Sequence, residues 1–220
     1  MKKVLVLDGS MRRNGNTSIL VENFLRGSRQ NTNQIDHVIA KDTNIKYCTG
    51  CLRCNLIKRC SIADDDWTDL SHKILEADVL VFASPVYFHY TTAALKKVID
   101  RFRSFVHVQI TETGLIHTPW QTWEKDFVLL LSMGSSDDSD AQPIIDLLDY
   151  MKNVLGEKNH LHVIKATRLA VIKQINKPED ELEMLYRKLN IPEKFAKKDV
   201  KKNKELLHNV FELGAALSIG

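Results

Sequence analysis

A parallel α/β sheet covered by helices on both faces is the fold class this 220-residue chain predicts. Three observations predict it. Short apolar runs at 4–7, 79–83 and 127–131 alternate with stretches of helical periodicity. The runs at 79–83 and 127–131 are continuously apolar, as strands buried on both faces require. Each of the three opens into a polar loop, and open sheets of this class bind ligands outside the carboxyl ends of their strands.

In order along the chain, Val4 to Leu7 forms the first strand and ends in Asp8-Gly9-Ser10. A helix starts near Asn16 or Thr17 and places Ile19, Leu20, Phe24 and Leu25 on one face. Ile35 to Ile39 is the second strand, followed by an irregular cysteine loop over about 46–63. Asp64, Asp65 and Asp66 supply N-cap and first-turn carboxylates for a helix through Trp67, Leu70, Ile74 and Leu75. Val79 to Ala83 leads through Ser84-Pro85-Val86-Tyr87-Phe88 into a helix from about Thr92 to Arg103. Phe127 to Leu131 opens into Ser132-Met133-Gly134-Ser135-Ser136, with a helix from about Ala141 to Leu155 after it. Leu161 to Ala166 is the fifth strand, and a last helix covers about Lys201 to Leu217. Residues 104–124 and 170–198 exceed ordinary crossover lengths and read as excursions that shape a pocket or meet a partner subunit. Trp120 and Trp123 in the first excursion either stack on a ligand or anchor the loop to the body of the protein.

The length suits one domain, residues 1–220, with insertions. A net charge of +3 is too small to imply a nucleic-acid partner, and the lysines at 194, 197, 198, 201, 202 and 204 read as a solvated helix face. No run approaches the ~20 apolar residues that span a bilayer. Met1-Lys2-Lys3 leads straight into a strand with no cleavage site after it. The expected location is cytoplasmic, with no membrane partner.

All four cysteines fall in Cys48-Thr49-Gly50-Cys51-Leu52-Arg53-Cys54 and Cys60. Four thiolates at this spacing can converge on one iron–sulfur cluster, whereas a zinc knuckle normally uses two separated pairs. A reversible Cys51–Cys54 pair beside Arg53 is the alternative, because nearby positive charge favours a thiolate. The spacing leaves cluster, thiol pair and zinc all open.

Gly9-Ser10-Met11-Arg12-Arg13-Asn14-Gly15-Asn16-Thr17-Ser18 combines hydroxyls, glycines, an arginine and the free N–H groups of a helix start. That combination satisfies a terminal phosphate dianion. Neither a Gly-Lys-Ser/Thr ending nor GxGxxG is present, which excludes a P-loop and the dinucleotide fingerprint.

Three motifs in this order carry a family resemblance: Gly9-Ser10-x-Arg12-x-x-Gly15-Asn16-Thr17; the cysteine block through Cys60 and Asp64-Asp65; and Ala77-Asp78 through Ser84-Pro85-Val86-Tyr87-Phe88, Lys96 and Asp100-Arg101. The chain resembles the flavodoxin-like NADPH-dependent FMN reductases, and within them the iron-sulfur flavoproteins. The resemblance covers 1 to about 103 well and the remainder more loosely. It implies a three-layer flavodoxin-like fold with a five-stranded parallel sheet in the order 2-1-3-4-5. It implies FMN with its phosphate on Ser10, Arg12, Asn16, Thr17 and Ser18, and its ring against Pro85, Val86, Tyr87, Phe88 and the loop of Ser132, Met133 and Gly134. The activity it implies is oxidoreduction: a hydride from NAD(P)H to flavin N5, then electrons to a quinone, free flavin or other small oxidant. A [4Fe-4S] cluster on Cys48, Cys51, Cys54 and Cys60 belongs to the same resemblance, as does an alternative role as an electron carrier from ferredoxin or as a non-catalytic FMN-binding protein. A homodimer or homotetramer is the implied assembly. The flavin supplies the reactive atom, so no side chain is expected as a catalytic acid, base or nucleophile. His89 reads as a helix-entry or surface histidine ahead of the alternative, a contact to the phosphate of a nicotinamide donor or to a polar edge of the flavin. Met11 stands where relatives commonly have proline, and Asp137 and Asp138 add negative charge beside the expected ring edge.

Overall fold

The computed structural model describes residues 1–32 and 34–219. The elements run β1 (Val4–Asp8), α1 (Asn16–Ser28), β2 (Ile35–Ile39), α2 (Cys54–Ile57), α3 (Trp67–Glu76), β3 (Val79–Pro85), α4 (Ala93–Arg101), β4 (Val106–Thr111), β5 (Gly114–Pro119), β6 (Asp126–Ser132), α5 (Gln142–Leu155), β7 (His160–Ala166), α6 (Glu179–Lys188) and α7 (Ala196–Leu217). The main sheet is parallel throughout and ordered β2-β1-β3-β6-β7, the expected 2-1-3-4-5 once the β4–β5 hairpin is set aside. The fold is flavodoxin-like.

Alternation along the strands builds two cores. Leu5, Leu7, Leu80, Phe82, Phe127 and Leu129 pack with Trp67, Ile74, Leu95, Val98 and Leu148 of α3, α4 and α5. Val4, Val6, Val79, Val81, Val128 and Leu130 pack with Leu20, Phe24 and Val210 of α1 and α7. The contact between α1 and α7 is close enough to demand glycine. A Cβ on Gly27 would stand 1.9 Å from the Phe211 carbonyl oxygen, and one on Gly214 would stand 2.2 Å from that of Phe24.

Sheet register brings the loops together. Pro85 lies beside Ser132, so β3 and β6 end level, and Asp8 lies beside Ala83, so β1 ends two residues short of them. Gly9 follows at once and donates its N–H to the Ala83 carbonyl at 2.7 Å. A side chain there would collide with Leu95 and Ala83.

Both excursions carry structure that their sequences did not announce. Residues 104–124 contain the antiparallel β4–β5 hairpin, with Thr111 opposite Gly114. Trp123 is buried against Phe102, Phe105 and Phe127, so it is an anchor. Trp120 stacks edge-on against His107. Residues 170–198 contain α6, which packs on α7 around Leu182, Tyr186 and Ala196. The last helix begins at Ala196 rather than at 201 because Ala196 and Asp199 are buried in this contact. Of its lysines, Lys202 turns inward to Asp199 and the Thr167 carbonyl.

Capping of α3 also differs from expectation. Asp66 sits at the N-cap position without a side-chain cap and accepts from the Asn44 N–H instead. Asp65 accepts from the Trp67 N–H at 3.1 Å.

Candidate functional site

At the carboxyl ends of β1, β3 and β6 lies a cleft of about 220 Å³. Ser10, Met11, Arg12, Gly15, Asn16 and Thr17 line one end of it; Pro85, Val86, Tyr87, Ser132 and Gly134 line another part; Leu169, Ala170 and Ile172 complete it. The first turn of α1 opens here, so its partnerless N–H groups add positive potential.

The base of the first loop is built on Asp8. Its carboxylate is buried, accepts the Ser10 N–H at 2.8 Å and meets His37 Nε2 at 3.1 Å. Burial alone would push this carboxyl up, but the hydrogen bonds from the His37 ring and the Ser10 backbone N–H hold it below the usual range. The Ser10 hydroxyl oxygen is itself buried without a hydrogen-bond partner in the protein. An orphaned hydroxyl in a residue that lines a cleft is a group left for a ligand. Thr17 and Ser132 share a hydroxyl–hydroxyl bond of 2.6 Å, which ties the first loop to the third. Ser18 donates to the Arg12 carbonyl at 3.0 Å, and Arg12 is exposed at the rim.

Three of the expected contacts are placed differently. The Asn16 side chain, expected on a phosphate, donates to the Val171 carbonyl at 2.8 Å and accepts from the Ile175 N–H at 3.1 Å. It fastens the 169–175 wall, which leaves its backbone N–H as what it offers the loop. Met133 is buried in the core, while its neighbours Ser132 and Gly134 line the cleft. Phe88 is fully exposed, at the tip of a turn closed by reciprocal Tyr87–Tyr90 backbone bonds of 2.9 and 3.0 Å. Phe88 and His89 both take left-handed conformations, φ 49° and 61°, in which a non-glycine residue costs about 1 kcal/mol or more. The N–H groups of Val86 and Tyr87 go to Ser132 and Tyr90, so neither is free to meet a ring edge. His89 contacts the Asp140 carbonyl oxygen at 3.2 Å.

The wall itself was not legible in the sequence. Gln174 is buried, accepts from the Ala170 and Val171 N–H groups and donates to the Arg168 carbonyl. No pattern distinguishes that glutamine from a surface residue until the chain is folded.

A second pocket is lined by Cys48, Cys51, Cys54 and Cys60 together with Ser61, Arg101, Arg103 and Ser104. All four cysteines are free thiols. Among the described residues, no three His, Cys, Asp or Glu side chains are gathered as a site for a metal ion. The thiols differ in character. Cys51 is exposed, and the Arg53 backbone N–H with the Ser61 hydroxyl shifts its pKa down. Cys54 is buried, and burial pushes its thiol up against the opposing charge of Arg103, whose Nη1 lies 3.5 Å from the sulfur. Arg101 closes the loop at both feet: it donates to the Lys46 carbonyl at 2.8 Å, to that of Ile62 at 3.3 Å, and to Asp65.

A parallel sheet in this order, with its cleft at the carboxyl ends of the central strands, defines a flavodoxin-like α/β protein. A family model described as NADPH-dependent FMN reductase matches residues 2–174, and the chain belongs to that family. An iron-sulfur flavoprotein of Archaeoglobus fulgidus is 36% identical over 107 residues, 49% of this chain and 48% of its own length. An iron-sulfur flavoprotein of Methanocaldococcus jannaschii is 35% identical over 101 residues, 46% of this chain and 52% of its own. The chain thus spans about half the length of these curated relatives. The NAD(P)H:quinone oxidoreductase from Methanothermobacter marburgensis shares the fold, with a TM-score of 0.66 at 14% identity over 98% of each chain. Among the described residues, no helix is long and apolar enough to cross a membrane.

Proposed function

We propose that the whole chain acts as one FMN-binding domain of an oxidoreductase that takes electrons from NAD(P)H and passes them to a quinone, free flavin or other small oxidant. The observation that carries this reading is the buried, partnerless Ser10 hydroxyl in a cleft that also holds the start of α1 and the Pro85-Val86-Tyr87 segment. Such a donor set fits a phosphate, and the apolar segment fits a planar ring. Ser10, the Thr17 and Ser18 N–H groups and Arg12 would hold the phosphate. Pro85, Val86 and Tyr87 would cover one region of the ring, with Ser132, Gly134, Leu169, Ala170 and Ile172 at its other borders. Bound FMN would supply hydride acceptance at N5 and electron release singly or in pairs. The protein's part is to exclude water, fix the ring and neutralise the phosphate.

Four thiols on one pocket support a second reading, in which Cys48, Cys51, Cys54 and Cys60 hold a [4Fe-4S] cluster and the protein carries electrons, with ferredoxin as a candidate donor. The names of the relatives support it too. Assembly as a homodimer or homotetramer belongs to the proposal. The β4–β5 hairpin is the candidate interface, with Ile110 75% and Leu115 60% exposed. Light scattering of the FMN-bound protein as a monomer would remove that part.

Anaerobic purification with quantified FMN, iron and acid-labile sulfide tests both readings. One FMN per chain that bleaches with NADH or NADPH supports the first. About four iron and four sulfide per chain support the second. A colourless protein that takes up no added FMN overturns both.

A further inference from the structure

Strand β7 leaves the sheet at Ala166, and the next residues decide the shape of the cleft. The Arg168 N–H donates to the Ser135 carbonyl and the Leu169 N–H to that of Met133, each at 2.8 Å, so this bend holds the third loop. Leu169, Ala170 and Ile172 then line the cleft directly. Arg168 makes the bend in a left-handed conformation, φ 60°, which an arginine adopts only when its surroundings impose it.

Against its side chain lies Asp199, on the buried side of α7. Asp199 is 1% exposed; its carboxylate accepts from the Tyr186 hydroxyl at 2.6 Å and forms ion pairs with Lys202 Nζ at 3.2 Å and with Arg168 Nε at 2.8 Å, the last without hydrogen-bond alignment. Lys202 in turn donates to the Thr167 carbonyl at 2.9 Å, and the Arg168 guanidinium stacks 4.9 Å from the Phe195 ring centroid. A buried carboxylate that compensates two cations is costly to disturb, because removing one partner leaves uncompensated charge.

We propose that Asp199 is a positioning residue for the cleft: through Arg168 it sets both the 169–172 wall and the 132–135 loop, so that the 170–198 excursion and α7 preorganise the site for its cofactor. This rests on the FMN reading given above. Preorganisation of this kind appears as a loss of ligand affinity and of local order at the cleft, beyond what the broken ion pairs cost in global stability.

The test compares wild type with Asp199→Asn, and with Tyr186→Phe, which removes one hydrogen bond and keeps the charges. FMN affinity is measured by quenching of flavin fluorescence, and amide exchange is followed by mass spectrometry in the cofactor-free protein. Asp199→Asn is expected to weaken FMN binding about tenfold or more, the scale of one lost buried ion-pair contact, with Tyr186→Phe affected less. Exchange should rise more at 133–135 and 167–176 than in β1 and β3. Unchanged affinity with unchanged exchange overturns the proposal, and so does a uniform rise across the sheet, which would mean a general structural role. If wild type takes up no FMN while Asp199→Asn still loosens those two segments, the FMN reading fails and the positioning role stands. Should Asp199→Asn not fold, Arg168→Lys, which keeps the charge but loses the Nε geometry, is held to the same two readouts.

Discussion

Arg101 and Asp65 form an ion pair in which neither side chain is exposed: Nη1 stands 2.5 Å from Oδ2, and both side chains are 0% accessible. The two residues come from separate motifs, one closing α4 and the other following the cysteine loop. Their pairing joins the two motifs. The guanidinium also holds the Lys46 and Ile62 carbonyls, so it fastens the segment that presents the four thiols.

Replacing Arg101 by Met strands the Asp65 charge, and the expected loss is about 3–5 kcal/mol in urea unfolding at neutral pH. Burial raises the Asp65 carboxyl, but the Arg101 hydrogen bond with the Lys46 and Trp67 N–H groups brings it below its usual value. A depressed folded pKa stabilises above the unfolded value, near 3.9, and the contribution disappears as pH falls through the folded pKa. Wild type should therefore lose stability below about pH 4, and the gap between wild type and Asp65→Asn should narrow there. A gap that stays constant from pH 7 to the acid limit contradicts the assignment.

Ser10→Ala removes a hydroxyl that has no partner in the protein. Stability of the cofactor-free protein should stay within about 0.5 kcal/mol of wild type, because no internal bond is lost. FMN affinity, by equilibrium titration, should fall about tenfold. A stability loss with unchanged affinity would show that the hydroxyl serves the fold.

In the reduced, metal-free protein, Cys51 and Cys54 should differ in alkylation. Cys51 is exposed with a lowered pKa, and Cys54 is buried with a raised one. Peptide mapping after iodoacetamide at neutral pH should find Cys51 modified at least about tenfold faster. Equal rates would mean that the loop opens faster than it reacts.

Gly27→Ala drives a methyl group into the Phe211 carbonyl oxygen across the α1–α7 contact. Backbone cannot yield as a flexible side chain would, so a loss of about 3 kcal/mol in chemical denaturation is expected. A neutral substitution would require the two helices to separate without cost.

Much of this protein follows from local sequence. Strand β3 could be read from Val79 to Ala83 because a strand covered on both faces must be apolar throughout, and the loops of Ser10, Pro85 and Ser132 could be placed because parallel strands expose their carboxyl ends together. Clustering of all four cysteines is likewise a property of the chain. Tertiary structure alone decided the rest. Asn16 and Thr17 look alike as polar residues at a helix start, yet one is committed to Val171 and Ile175 and the other to Ser132. Asp199 reads as one more charge in a lysine-rich helix until Arg168 and Tyr186 are brought to it from 31 and 13 residues away. The physical reason is range: periodicity and turn chemistry act over a few residues, whereas the partner of a buried polar group is chosen by packing, which no local pattern encodes.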